Sequence, residues 1–137
     1  MWKPTSSALP LAGQTLGSEG DNFVIAEYRD PGGTSEKPRL IAPRHLHCHD
    51  DEAWYVLEGT LHIEVDIRIV EAHTGSAVFV PRGMPHTYWN PGPSPARYLL
   101  IMTGNIHRLI KEIHALKDRS RPSLEALFRQ FDSELLG

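Results

Sequence analysis

His45, His47 and His49 fall within five residues and are followed directly by Asp50, Asp51 and Glu52, the densest set of metal-ligating and acid–base groups in the chain. Of the eight histidines, His86 also stands apart, opening an apolar run after Pro81-Arg82-Gly83-Met84-Pro85. On a strand, residues two apart share a face, so His45 and His47 can aim both imidazoles at one point. Glu52 and His86 each begin another apolar run and can return a ligand atom to that point. Three neutral imidazoles and one carboxylate suit Fe, Mn, Co, Ni, Cu or Zn, and leave open positions for water, dioxygen or substrate. At this level the register stays open, because His47 and His49 are also a same-face pair and all three histidines could share the site. The isolated His62, His73, His107 and His114 read as solvated or capping residues.

These side chains need strands to carry them. Short apolar or alternating runs recur between Gly, Pro, Asn and Asp at residues 23–28, 39–47, 53–57, 61–70, 77–80, 86–89 and 97–103. That spacing predicts an all-β sandwich or barrel. Leu61, Ile63, Val65, Ile67 and Ile69 alternate with polar residues, so one face is expected to be buried, with a hairpin bend near Asp66 or Ile67. After Gly104 the period becomes 3.6. Ile106, Leu109, Ile110, Ile113 and Leu116 follow Asn105 as the expected cap, and Leu124, Leu127, Phe128, Phe131 and Leu135 follow Ser123 as the next. Two short C-terminal helices are therefore expected, lying on the outer face of the β unit or on a partner chain. Residues 1–22 read as an arm punctuated by Pro and Gly, 23–104 as the barrel and 105–137 as a helical extension.

Composition narrows the function classes. A chain of 137 residues makes one domain and needs no metal merely to stay folded. Fourteen Lys and Arg against 17 Asp and Glu, scattered without a basic run, argue against a nucleic-acid partner. No apolar run approaches the roughly 20 residues that span a bilayer, and Met1 to Pro10 lacks the apolar core of a secretory signal. Cys48 is the single cysteine, which agrees with a reducing compartment, and a cytoplasmic location is expected.

The wider spacing carries a family resemblance. His45-x-His47, four residues, Glu52, six residues and Gly59 resemble the first motif of the cupin superfamily. Gly75, five residues, Pro81-x-Gly83, two residues, His86, three residues and Asn90 resemble its second motif at every marked position. Fifteen residues separate Gly59 from Gly75, similar to the short inter-motif segment of small microbial cupins. The glycine that usually precedes the histidine pair is missing between Pro38 and Arg44, which touches the approach to the strand and not the ligands. The resemblance implies a double-stranded β-helix, or jelly-roll, barrel with one divalent transition metal held in the lumen by His45, His47, Glu52 and His86. It leaves His49 outside the ligand set and turns Cys48 away from the lumen.

Gly59 and Gly83 lie where turns often need positive φ, Pro81 and Pro85 would stiffen the loop that delivers His86, and Asn90 should tie the turn after its strand. By strand parity, Trp54 and Val56 share the face of Glu52, and Tyr88 that of His86, making them the candidate pocket walls. Arg44 and Arg82 flank the ligand segments and could meet an acidic substrate, whereas Asp50 and Asp51 read as solvated turn residues. Small cupins of this pattern include dioxygenases, isomerases and decarboxylases. The resemblance thus implies an enzyme acting on a small aromatic or oxygenated molecule, in its concrete form a quercetinase-like dioxygenase. Glu52 would serve as ligand or proton acceptor, and Tyr88 would orient the substrate or donate a proton. The alternative is a cupin that binds or senses a small ligand without turnover. A homodimer is expected as well, because one small barrel leaves apolar surface to cover.

Overall fold

The computed structural model describes residues 11–33 and 37–137. The arm expected over residues 1–22 therefore lies partly outside the described residues. Ten strands and two helices follow in the order β1 (Thr15–Leu16), β2 (Val24–Asp30), β3 (Leu40–His47), β4 (Glu52–Glu58), β5 (Thr60–Val65), β6 (Arg68–His73), β7 (Ala77–Val80), β8 (His86–Trp89), β9 (Ala96–Met102), α1 (Gly104–Ala115), α2 (Arg121–Gln130) and β10 (Ser133–Leu135). They build two five-stranded antiparallel sheets, ordered β1-β2-β9-β4-β7 and β10-β3-β8-β5-β6. This is the double-sheet β-sandwich that the strand spacing predicts.

Alternation decides what fills the lumen. Glu52, Trp54 and Val56 of β4 point inward, as do Ala96, Tyr98, Leu100 and Met102 of β9 and Leu61 and Ile63 of β5. The bend falls at Asp66 and Ile67, between the paired Val65 and Arg68, with Asp66 in the left-handed region at φ +58°. Past the bend the expected burial fails: Ile67 and Ile69 are exposed, because the returning strand puts Val70 and Ala72, not Ile69, opposite the inward residues. Gly59 and Gly83 both have φ +80°, as their turn positions require. At Gly59 a Cβ would also lie 2.4 Å from the Pro95 carbonyl oxygen. Asn90 ties its turn from both ends, donating to the Ser94 carbonyl and accepting from the Gly92 N–H.

The C-terminal segment departs from expectation. Both helices form, but α1 is capped by Thr103, whose hydroxyl accepts from the Ile106 N–H, and α2 starts after Ser120. Asn105 and Ser123 are not caps. Instead of lying on the outer face, the helices close one opening of the barrel. Ile106 joins the lumen core, while Leu109 meets Leu127, Phe128 and Phe131 of the second helix in a smaller core above it. Leu135 is not helical. Asp132 turns into the left-handed region at φ +53°, ending the helical path, and Ser133–Leu135 pairs with β3 as an edge strand.

Candidate metal centre

The site begins with an irregularity in β3. Pro43 has no N–H to give to the ladder, and the pairing of β3 with β8 shifts register between Leu40 and Ala42 and between Ala42 and His45. The freed Pro43 carbonyl accepts a hydrogen bond from His45 Nδ1 at 2.6 Å. His86, placed opposite His45 in register, is held in the same way, its Nδ1 lying 2.9 Å from the Met84 carbonyl. His47 Nδ1 lies 2.7 Å from the Ser133 hydroxyl. With each Nδ1 engaged on its far side, all three Nε2 atoms converge on Glu52. The separations are 3.2 Å from His45 Nε2 to His47 Nε2, 3.3 Å from His47 Nε2 to Glu52 Oε1 and 2.5 Å from His86 Nε2 to Glu52 Oε1.

These are the four residues that the sequence assembles by spacing. All are buried, and one ligand atom from each lies within 4.8 Å of the others. Metal–nitrogen and metal–oxygen bonds of about 2.0–2.2 Å put donor atoms roughly 3 to 4 Å apart, the scale found here. Protonation suits a cation as well. Burial, reinforced by the His86 and His47 rings, lowers the His45 pKa to about 3 and keeps that ring neutral. Burial alone would raise Glu52, but hydrogen bonds from His47 and His86 hold its carboxyl well below the usual carboxylate range. A buried carboxylate among three imidazoles without apolar compensation is a costly arrangement, and a divalent ion removes that cost. The donor set therefore fits one transition metal.

Beside the cluster lies a cavity of about 130 Å³. The strands line it with Trp54, Tyr88, Tyr28, Tyr98, Ile41 and Leu100, and Ile106, Leu109, Ile110, Ile113 and Phe128 form the helical cover. Phe128 meets the His45 ring edge-on at 5.4 Å between centroids. The Tyr88 and Tyr98 hydroxyls are hydrogen-bonded at 2.8 Å, and burial pushes the Tyr88 hydroxyl well above its ordinary value, so it stays protonated. Trp54 Nε1 is buried with no hydrogen-bond partner among the described residues. Among the described residues no Lys or Arg lines this cavity.

Several expectations need correction. Val56 is fully buried in the barrel core but does not line the cavity. His49 stands outside the cluster, in an outer groove with Asp51, Phe79 and Arg82, so the open register resolves in favour of His45 and His47. Arg44 is paired with Glu64 and Arg82 with Asp51, which leaves neither facing the cavity; Asp51 is an ion-pair partner and not merely solvated. Asp50 accepts from Asn105. Of the histidines read as solvated or capping, His114 lines the cavity mouth and His107 buries an unpartnered Nδ1. Sequence reasoning missed Tyr28, Tyr98, Phe128 and Ser133. The alternation Ala96, Tyr98, Leu100, Met102 could have revealed Tyr98; Ser133 carries no such signal.

Comparison with known proteins agrees with this geometry. The family model described as the cupin domain matches residues 30–102, just over half of the chain. A mannose-1-phosphate guanylyltransferase from Sinorhizobium fredii is 26% identical over 95 residues, which are 69% of this chain and 17% of that protein. The chain thus spans about a sixth of that relative's length. Among solved structures, a sugar phosphate isomerase of the cupin superfamily from Silicibacter pomeroyi is 25% identical with a TM-score of 0.52, over 60% of this chain and 50% of that one. The polyketide cyclase RemF from Streptomyces resistomycificus is 28% identical with a TM-score of 0.51, over 62% of this chain and 56% of that one. Among the described residues no helix is long and apolar enough to cross a membrane.

Proposed function

Because the chain belongs to the cupin-domain family, we propose that His45, His47, Glu52 and His86 hold one divalent transition metal (Fe, Mn, Ni, Cu or Zn) and that the neighbouring cavity takes a small, uncharged aromatic or oxygenated molecule as substrate. Dioxygenation or isomerisation is the reaction class. The observation that carries this reading is the cavity lining: mostly aliphatic and aromatic side chains with three tyrosine hydroxyls, His114 and, among the described residues, no Lys or Arg, beside His45, His47 and Glu52. Among the described residues no Lys or Arg lines the cavity to pair with a phosphate dianion in place of its water. An aromatic ring therefore suits this lining better than a sugar phosphate, the class named for the isomerase relative.

A metal held by this set would act as a Lewis acid on a ligand oxygen. The protein's own groups supply the rest. Trp54 Nε1 offers a donor without a protein partner, and the Tyr88–Tyr98 pair spends one of its two protons internally and keeps one for the ligand. These donors orient an oxygen-bearing ring, Tyr88 remaining a phenol throughout. Among the described residues Glu52 is the only carboxylate lining the cavity, and it serves as ligand or as proton acceptor. The helical cover keeps bulk water from the bound molecule.

That single carboxylate also favours a second reading. If Glu52 is committed as a ligand, no free carboxylate remains among the described cavity residues, and the protein binds or senses its ligand without turnover. Oxygen uptake and product analysis with the metal-loaded protein and a panel of phenols, beside a hexose phosphate, distinguish these outcomes. Turnover of a phenol that depends on His86 supports the enzyme, intact phenol bound stoichiometrically supports the sensor, and a preference for the phosphorylated sugar refutes the substrate class. We further propose that two copies associate through the outer face of the β1-β2-β9-β4-β7 sheet, where exposed Phe23 and Phe79 border one groove with Ala53 and Ile101; sedimentation equilibrium returning a monomer would contradict this.

A further inference from the structure

The geometry points to Ser133 as a positioning residue that fixes which nitrogen of His47 faces the metal site, an inference that rests on the metal reading above. His45 and His86 take their Nδ1 partners locally, from backbone carbonyls two residues away. A carbonyl only accepts, so in both rings Nδ1 carries a proton and Nε2 is the nitrogen turned to the site. His47 has no such carbonyl. Its Nδ1 partner is the Ser133 hydroxyl, 86 residues along the chain, set directly opposite His47 where β10 pairs with β3.

A hydroxyl can donate or accept, and by itself it would leave the tautomer open. The Phe131 carbonyl closes that choice. Ser133 Oγ donates to it at 3.1 Å, so towards His47 the same oxygen presents a lone pair and accepts the Nδ1 proton. Nε2 is thereby the His47 nitrogen left for a metal, aimed at Glu52 and His45. The carbonyl is itself held in place, since it accepts a second hydrogen bond from Asn105 Nδ2 at 2.8 Å, and that amide also donates to Asp50. Ser133 is buried, which keeps water from substituting for it. The C-terminal segment is thus part of the ligand-orienting machinery and not only a cover: it supplies the outer hydrogen bond that metal-binding histidines generally take from a carboxylate, carbonyl or water.

The test combines nitrogen-resolved NMR of the zinc-loaded protein with metal affinities of Ser133→Ala and Ser133→Thr, measured by competition against a chromophoric chelator. In the unsubstituted protein His47 is expected to bind zinc through Nε2 and carry its proton on Nδ1; coordination through Nδ1 would overturn the inference without any variant. Ser133→Ala is expected to weaken zinc binding by about 10- to 100-fold and to abolish the unique Nδ1–H signal, whereas Ser133→Thr, which keeps the hydroxyl, restores both. Equal losses in the two variants would assign the effect to packing, and unchanged affinity in Ser133→Ala would remove Ser133 from the site. His47→Ala separates the two claims. If it too leaves affinity unchanged, the metal reading fails; if it abolishes binding while Ser133→Ala does not, only the role of Ser133 fails.

Discussion

Replacing Phe128 by alanine tests whether the C-terminal helices belong to the barrel's core. Phe128 is 1% exposed, shares a cluster with Leu109, Leu127 and Phe131, and covers the His45 ring at 5.4 Å. Removing a buried phenylalanine costs about 3–5 kcal/mol when the surroundings cannot collapse. Collapse is hindered here, because Phe128 already borders a cavity of about 130 Å³ and the strands beneath it are fixed by their ladders. Loss of the edge-on ring contact adds roughly 0.5–1.5 kcal/mol within the same total. For a domain of this size the sum corresponds to a fall in Tm on the order of 10 °C. Urea unfolding followed by circular dichroism, with a chelator present to remove any metal contribution, measures the loss directly. A change below about 1 kcal/mol would mean that the helices rest loosely on the barrel, and the helix-covered cavity on which the substrate argument depends would not exist.

Three further substitutions probe separate links. Tyr88→Phe strands the Tyr98 hydroxyl and should cost about 1 kcal/mol of stability while weakening binding of a phenolic ligand, read by isothermal titration calorimetry; unchanged affinity would exclude the tyrosine pair from the ligand site. Gly59→Ala combines a positive φ with a Cβ placed 2.4 Å from the Pro95 carbonyl oxygen, so a loss of more than about 2 kcal/mol is expected in the same urea assay, and a neutral effect would contradict the turn geometry. His107→Gln addresses pH. Burial, with Lys111 nearby, lowers the His107 pKa, so as pH falls through its ordinary value of 6.5 the unfolded chain takes up a proton that the folded one resists. Stability should therefore decline from pH 7 towards pH 5, and the variant should flatten that slope; identical slopes would show that His107 is not responsible.

How much of this was legible without coordinates follows from the range of each interaction. The four ligands were readable because strand parity and short turns act over a few residues: His45 and His47 differ by one pleat, and Glu52 and His86 each begin a strand. Period also revealed α1 and α2, but an amphipathic stripe says only that one side is covered, not by what. Hence the helices were expected outside the barrel, although Ile106 and Phe128 close its lumen. Leu135 sits at helical spacing from Phe131, and nothing local shows that Asp132 will turn left-handed and begin a strand. A three-residue strand is too short for alternation to register. Ser133 was invisible for the same reason, its partner lying 86 residues away. Neither arginine meets the cavity because each has an acidic partner distant in sequence, Glu64 on another strand for Arg44 and Asp51 in another loop for Arg82, which spacing alone does not reveal.

The central claim is that the four buried ligands hold a metal, and elemental mass spectrometry tests it most directly. The measurement compares protein purified without a metal-affinity tag with a His47→Ala, His86→Ala double variant, each before and after reconstitution. About one Fe, Mn, Ni, Cu or Zn per chain, lost in the double variant while its circular dichroism spectrum is retained, is the predicted result. No metal in the unsubstituted protein, and none taken up on reconstitution, would contradict it.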